Sequence, residues 1–465
     1  MTFPSTPPAG GVLAPWTFPE TVQVQVPGGP LVVAVRMGVL PIVQLRWCYR
    51  GGTYGIAPGL EGLAGIWNST ARHGTRKYES AELAQVLDHR GIRLRFSTGL
   101  ESTTVAISTL SQHFDWAVDL LDEVAFGPTF PEHHVARERA KALEVLHHQL
   151  SVPGYLAGLW LNHAVYGGHP YGRRSSTLEG LKAVTRQDVQ GFHERIMAPG
   201  SSRGMLLVVG DVDPHAVAHR LARRWENGDL DGAATTDAEQ VASKPLEGLG
   251  FPVPEPQIIA VDRPESEQVT FGIGHQTIPR AHPDYYALRV ANQVFGGGAS
   301  SRLFMTLREQ RSLTYGVYSR LSAGTRGGEL SAEMATALDK AEEAAEALMN
   351  EFRGICASPI SAEELTMAKQ YLVGAFPRRA SGVGGVASLV MMARNHGFGL
   401  EQWAEHQARI AAVDLDEVHA VTQRWIRPEA LSVVAVGPGE LCARALAPLG
   451  RVEVKGVGAV PPCSV

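Results

Sequence analysis

The stretch FGGGASSRLFMTLREQRSLTYG, residues 295–316, runs from a glycine triplet into a helical pattern and out into the start of a strand. Gly296, Gly297 and Gly298 give the backbone freedom to turn sharply beside a ligand. A helix is expected over 299–310 and a strand over 314–322. Arg308 and Tyr315 stand seven residues apart across that junction. An arginine fork can hold a peptide carbonyl or a carboxylate, and a phenol O–H can steady a developing oxyanion. Alone, such an Arg reads as a solvated helix residue and such a Tyr as core or rim, so the weight lies in their setting.

Working outward, the segment belongs to the second of two similar halves. The second half offers a strand over 268–274, a helix over 283–295, strands over 314–322 and 327–335, helices over 338–353 and 361–374, and a strand over 431–436. The first half reads alike. Strands are expected over 31–35 and 42–49, helices at 60–72 and 80–89, and strands over 92–97 and 103–108. Helices near 112–125 and 131–150 follow, then a strand over 204–209 and a short helix after Asp213. Between 226 and 256 the chain becomes acidic and rich in Gly and Pro, which reads as a linker. The expected organisation is α+β: a domain over 1–225, the linker 226–256, a homologous domain over 257–445, and a loose tail over 446–465.

In the first half stands GLAGIWNS, residues 62–69, followed by Gly74 and Thr75. This resembles the inverted zinc motif G-x-A-H-x-x-E-H…G-T of the insulinase, pitrilysin and mitochondrial processing peptidase family. The 295–316 segment resembles that family's C-terminal Arg/Tyr element. The resemblance spans about residues 15–440 and implies two homologous domains, each an antiparallel sheet covered by helices, forming one half of a clamshell around a peptide cavity.

Against that motif the zinc positions are blank. Gly65 and Ser69 stand where the two histidines belong, and Asn68 replaces the general-base glutamate. The distant glutamate ligand aligns with Val145, with Glu144 one residue away. A catalytic zinc usually needs three protein ligands, so no metal is expected in this chain. His133-His134 and His147-His148 are adjacent pairs whose rings point about 100° apart on a helix and chelate poorly. His134 and Glu138 share a face but read as solvated. In the edge strand that accepts substrate in the family, Arg95 and Phe96 replace small residues, which is expected to crowd a peptide there.

Composition narrows the field without naming a role. A formal charge of -5 over 465 residues gives no argument for nucleic acid or an anionic membrane. No apolar run suggests a membrane span, and four scattered cysteines form no C-x-x-C pair, so a cytoplasmic setting is the default.

The resemblance implies the non-zinc subunit of a heterodimeric metallopeptidase, acting on peptides. Tyr315 and Arg308 would serve a zinc site carried by a homologous partner subunit. The isolated chain would be inactive, and a homodimer stays open for it. The alternative is a catalytically inactive scaffold or a peptide-binding homologue with no hydrolytic role.

Overall fold

The computed structural model describes residues 16–197, 204–226 and 254–462. Most of the expected linker, 227–253, lies outside them. Strands β1 (Thr21–Gln25), β2 (Leu31–Arg36), β3 (Ile42–Arg50), β4 (Arg93–Thr98), β5 (Ser102–Leu110) and β6 (Gly204–Gly210) form the first sheet. Its order is β1-β2-β6-β3-β5-β4. Strands β7 (Ile258–Asp262), β8 (Gln268–Thr277), β9 (Val317–Ala323), β10 (Gly328–Ala337), β11 (Ser432–Gly437) and β12 (Val452–Lys455) form the second. Its order is β12-β7-β11-β8-β10-β9. Leaving out the outermost β1 and β12, the two orders match strand for strand, which is the duplication seen in the sequence.

The fold is α+β with two domains, but its sheets are mixed and not antiparallel throughout. β6 pairs antiparallel with β3 and parallel with β2, and β11 does the same with β8 and β7. A strand inserted between two oppositely running neighbours must be parallel to one of them. β12 also pairs in parallel with β7, so the segment expected as a loose tail extends the second sheet.

Every residue of β6 and β11 is buried, as expected of strands covered on both faces. One face of each sheet packs on helices of its own half. Trp47, Ile66, Leu121 and Val208 belong to the first such core; Phe271, Phe295, Leu348 and Phe352 belong to the second. The other faces are covered by exchange. Helix Pro153–Tyr166, from the first half, lays Ala157, Trp160 and Val165 against Ile259, Val261, Val434 and Val436 of the second sheet. Helix Val383–His396, from the second half, lays Val386, Ala387 and Val390 against Val33, Val35, Met205 and Leu207 of the first. Burying one Val or Leu side chain is worth about 1.5–3 kcal/mol, so these crossed helices join the halves firmly. Arg50 Nη2 donates to Arg394 O at 2.6 Å and Arg394 Nη2 donates to Gly204 O at 3.0 Å, adding polar ties on the same seam.

Candidate functional site

The blank motif forms helix Leu63–Thr70, packed on helix Glu132–Leu150. Gly62 enters it at φ 116° and lies so close to Leu181 that a Cβ would meet its Cδ2 at 2.4 Å. Gly74 leaves the following turn at φ 127°. The Thr75 hydroxyl accepts from the amides of Lys77 at 3.2 Å and Tyr78 at 3.1 Å. The motif residues that remain are therefore those the backbone needs. At the chemical positions little is left. Gly65 is exposed, and a Cβ there would touch nothing within 4 Å. Ser69 Oγ donates back to Gly65 O at 3.0 Å, a local helix bond. Asn68 Oδ1 accepts from Thr98 Oγ1 at 3.1 Å, tying the helix to β4. Val145 is 47% exposed on the second helix, beside exposed Glu144.

These residues do not fit zinc, since Gly65, Asn68, Ser69 and Val145 supply neither imidazole nor carboxylate. Nearby, the His73 and His134 rings stack in parallel with centroids 4.4 Å apart, and His133 lies 4.2 Å from His134. Burial holds His73 and His134 below the ordinary histidine range. Glu138 Oε1 lies 3.5 Å from His73 Nε2 and 3.2 Å from Arg137 Nη2. Among the described residues no group of three or more His, Cys, Asp or Glu is placed to hold a metal ion.

The edge strand β4 corrects one expectation. Phe96 points inward, 8% exposed, and packs edge-on against Trp67 at 5.5 Å. Only Arg95 of the two larger residues stands on the outer face, so Phe96 does not crowd that edge.

In the second half, Arg308 and Tyr315 are brought together. Arg308 lies in the π-helical segment Phe304–Gln310. Ser312 at φ 52° turns the chain back, and Leu313 N donates to Leu307 O at 2.8 Å. Tyr315 then stands 90% exposed just before β9. The Arg308 guanidinium lies between two rings, 4.6 Å from Phe304 and 5.0 Å from Tyr315. Its Nε is 3.5 Å from Glu309 Oε1. The Tyr315 hydroxyl has no hydrogen-bond partner among the described residues. Phe304 was not singled out from sequence, although its place four residues before Arg308 on a helix is the signal that could have found it.

The glycine triplet has a different reason from the one expected. Gly296 is buried, and a Cβ there would meet Ser319 N at 2.5 Å; one at Gly297 would meet Gln293 Cα at 2.7 Å. Space, and not an unusual backbone angle, requires them, while Gly298 is half-buried and less constrained. Behind them Arg302 binds Glu364 with both prongs, Nε–Oε1 at 2.7 Å and Nη2–Oε2 at 2.9 Å. Glu364 also accepts from Ser361 N at 2.8 Å, closing the capping box of helix Ala362–Arg379.

The chain is an α+β scaffold of two similar domains, the first of which lacks zinc ligands at the motif positions. Residues 54–175 match the family model described as Insulinase (Peptidase family M16), and residues 183–372 match Peptidase M16 inactive domain. The chain belongs to peptidase family M16. It is 28% identical over 429 residues to an uncharacterized zinc protease of Mycobacterium tuberculosis, covering 91% of this chain and 93% of that protein. It is 24% identical over 362 residues to the uncharacterized zinc protease YmxG of Bacillus subtilis, covering 77% and 82%. The crystal structure described as peptidase M16 inactive domain from Pseudomonas fluorescens shares the fold with a TM-score of 0.79 at 23% identity, over 90% of this chain and 98% of that one. A Helicobacter pylori protease does so with a TM-score of 0.79 at 18% identity, over 90% and 100%. Among the described residues no helix is long and apolar enough to cross a membrane.

Proposed function

We propose that this chain is the zinc-less subunit of a heterodimeric M16 metallopeptidase, completing in trans the site of a homologous partner that carries zinc. The observation that carries this reading is the Arg308–Tyr315 pair. A tyrosine 90% exposed, stacked on an arginine and with its hydroxyl free among the described residues, has no evident use within its own chain. The chain's own motif helix, with Gly65, Asn68 and Ser69, offers it no metal to work with.

In this reading the partner's zinc supplies the Lewis acid, and this chain supplies substrate contacts. The Tyr315 O–H donates to the oxygen of the scissile carbonyl as negative charge develops there. Arg308, beside the Phe304 and Tyr315 rings, donates its N–H groups to a peptide carbonyl or C-terminal carboxylate. The setting is cytoplasmic and the substrates are peptides.

The test is hydrolysis of a quenched fluorescent peptide by the chain alone, by a homologue with an intact H-x-x-E-H motif, and by the two together. Activity appearing only in the mixture supports a shared site. Inactivity of the mixture, with the homologue folded and zinc-loaded, moves the assignment to a scaffold or a peptide-binding protein.

A further inference from the structure

A groove leads away from Tyr315 along the outward face of the second sheet. Side chains alternate across β9 and β10. Val317, Leu330, Ala332 and Met334 enter the core, so Tyr318, Arg320, Glu329, Ser331 and Glu333 fall on the opposite side. Helix Pro153–Tyr166 walls that side because its apolar stripe is spent on the second sheet. The space left between them forms two adjoining cavities. One, of about 460 Å³, begins at Gly316, next to Tyr315, and runs past Tyr318 to Glu329. The next, of about 510 Å³, ends at Glu101 and His396. They share Asn162, Arg320 and Glu329, so the groove is continuous from one to the other. Each has the size of an ordinary small-ligand site, about 300–1,000 Å³.

The charges in the groove do not balance. Ser331 lies directly across from Arg320, Glu329 across from Ser322 and Glu333 across from Tyr318. The one cation of the first cavity is thus diagonal to two carboxylates, and no ion pair within 4.0 Å joins it to either among the described residues. Glu333 has a second source of positive potential. A Cβ on Gly154 would lie 2.8 Å from its Oε1, so the first turn of helix Pro153–Tyr166 abuts that carboxylate. Glu329 has less. It is only 9% exposed, lines both cavities and bonds the Ser331 hydroxyl. A buried carboxylate with one neutral partner is costly to leave uncompensated.

We infer that the groove is a subsite for a basic side chain of an extended peptide, whose ammonium or guanidinium enters beside Glu329. The inference rests on the proposed function for its peptide, and it names the substrate class that site would favour. A cation there restores the balance between two carboxylates and one arginine. Burial holds the Glu329 and Glu333 carboxyls above the usual range, and an incoming cation would draw them back. The amphipathic stem of a lysine or arginine suits the groove as well, because Leu161 also lines it.

The test needs no turnover, so it separates this inference from the shared-site reading. The full chain is titrated, in about 0.15 M salt, with a fluorescent peptide of alternating Ala and Lys and with its norleucine counterpart; binding is read by anisotropy. Alternation makes the result independent of register. The lysine peptide is expected to bind about tenfold tighter, the size of one charge-assisted contact. Glu329→Gln should remove most of that preference while leaving the norleucine affinity unchanged, and Glu333→Gln, at a more exposed position, should remove part of it. Equal binding of the two peptides, no binding of either, or a preference that survives both substitutions would overturn the inference. An inactive mixture in the hydrolysis assay, with the lysine preference intact, would overturn only the shared site.

Discussion

The guanidinium carbon of Arg308 lies 5.0 Å from the centre of the Tyr315 ring, across a turn that Ser312 completes at φ 52°. Because the ring is 90% exposed, the arginine is its main support, and the phenol and the guanidinium present their donors together. If the pair works in trans, Tyr315→Phe keeps the stacking and removes only the hydroxyl. It should lower the turnover of the mixed subunits about 10- to 1,000-fold with assembly intact. Turnover and sedimentation of the mixture check this, and an unchanged rate would reduce Tyr315 to packing.

Arg308→Lys should act differently. Lysine keeps the charge but loses the planar fork and its stacking between Phe304 and Tyr315. The expected result is a rise in KM of about tenfold, one charged contact's worth, with a smaller change in kcat. A loss confined to kcat would argue for a role at the reacting carbonyl instead.

The motif helix offers a test by restoration. Purified wild-type chain should carry no stoichiometric zinc by elemental analysis. Gly65 has open space for a side chain and Val145 is exposed on the packed helix, so G65H, N68E, S69H and V145E together should bind about one zinc per chain. Wild-type protein with one tightly held zinc would refute the blank-site reading.

Acid should loosen that same helix. Trp67 Nε1–H donates to His193 Nδ1 at 3.3 Å, and burial lowers His193 to about 3. Burial likewise lowers His406 to about 3 and His275 to about 4. These values lie below the unfolded one, so between them the unfolded chain binds the extra protons. Stability is therefore full above about pH 6.5 and falls as the pH drops toward 4, by about 1.4 kcal/mol per pH unit for each histidine. Urea melts at pH 7, 6 and 5 measure the slope, and His193→Gln should make it shallower.

The Arg302–Glu364 pair carries the last prediction. Glu364 serves a bidentate arginine and a helix cap at once, and the arginine holds its carboxyl down to about 2. Glu364→Ala should cost about 1–3 kcal/mol in urea unfolding, and Arg302→Ala less, because the capping box survives it. In this pair the folded value lies below the unfolded one, so its contribution is present above pH 4.5 and lost as the pH falls toward 2.

What the sequence showed depended on how each segment is buried. The duplication, the strands 42–50 and 204–210, and the helices 114–126 and 132–150 were legible because their apolar periods are simple. Helix Pro153–Tyr166 was not read. Trp160, Leu161, Ala164, Val165 and Tyr166 are buried in succession or nearly so, leaving no polar face to set a period. Helix Val383–His396, with its glycines and small residues, was missed for the same reason. β1, β7 and β12 were missed as short strands, and β12 falls in a Pro- and Gly-rich segment whose pairing with β7 is set by tertiary contact. At the site, the motif positions followed from alignment, but the rings around Arg308 and the groove behind Tyr315 need three dimensions.

The crossed helices Pro153–Tyr166 and Val383–His396 give the chain a topology that covalent connectivity does not guard. Each half wears a helix encoded by the other, so either half expressed alone would bare an apolar sheet face and tend to aggregate. Conversely, cutting the chain between 226 and 254 should leave two fragments that purify as one.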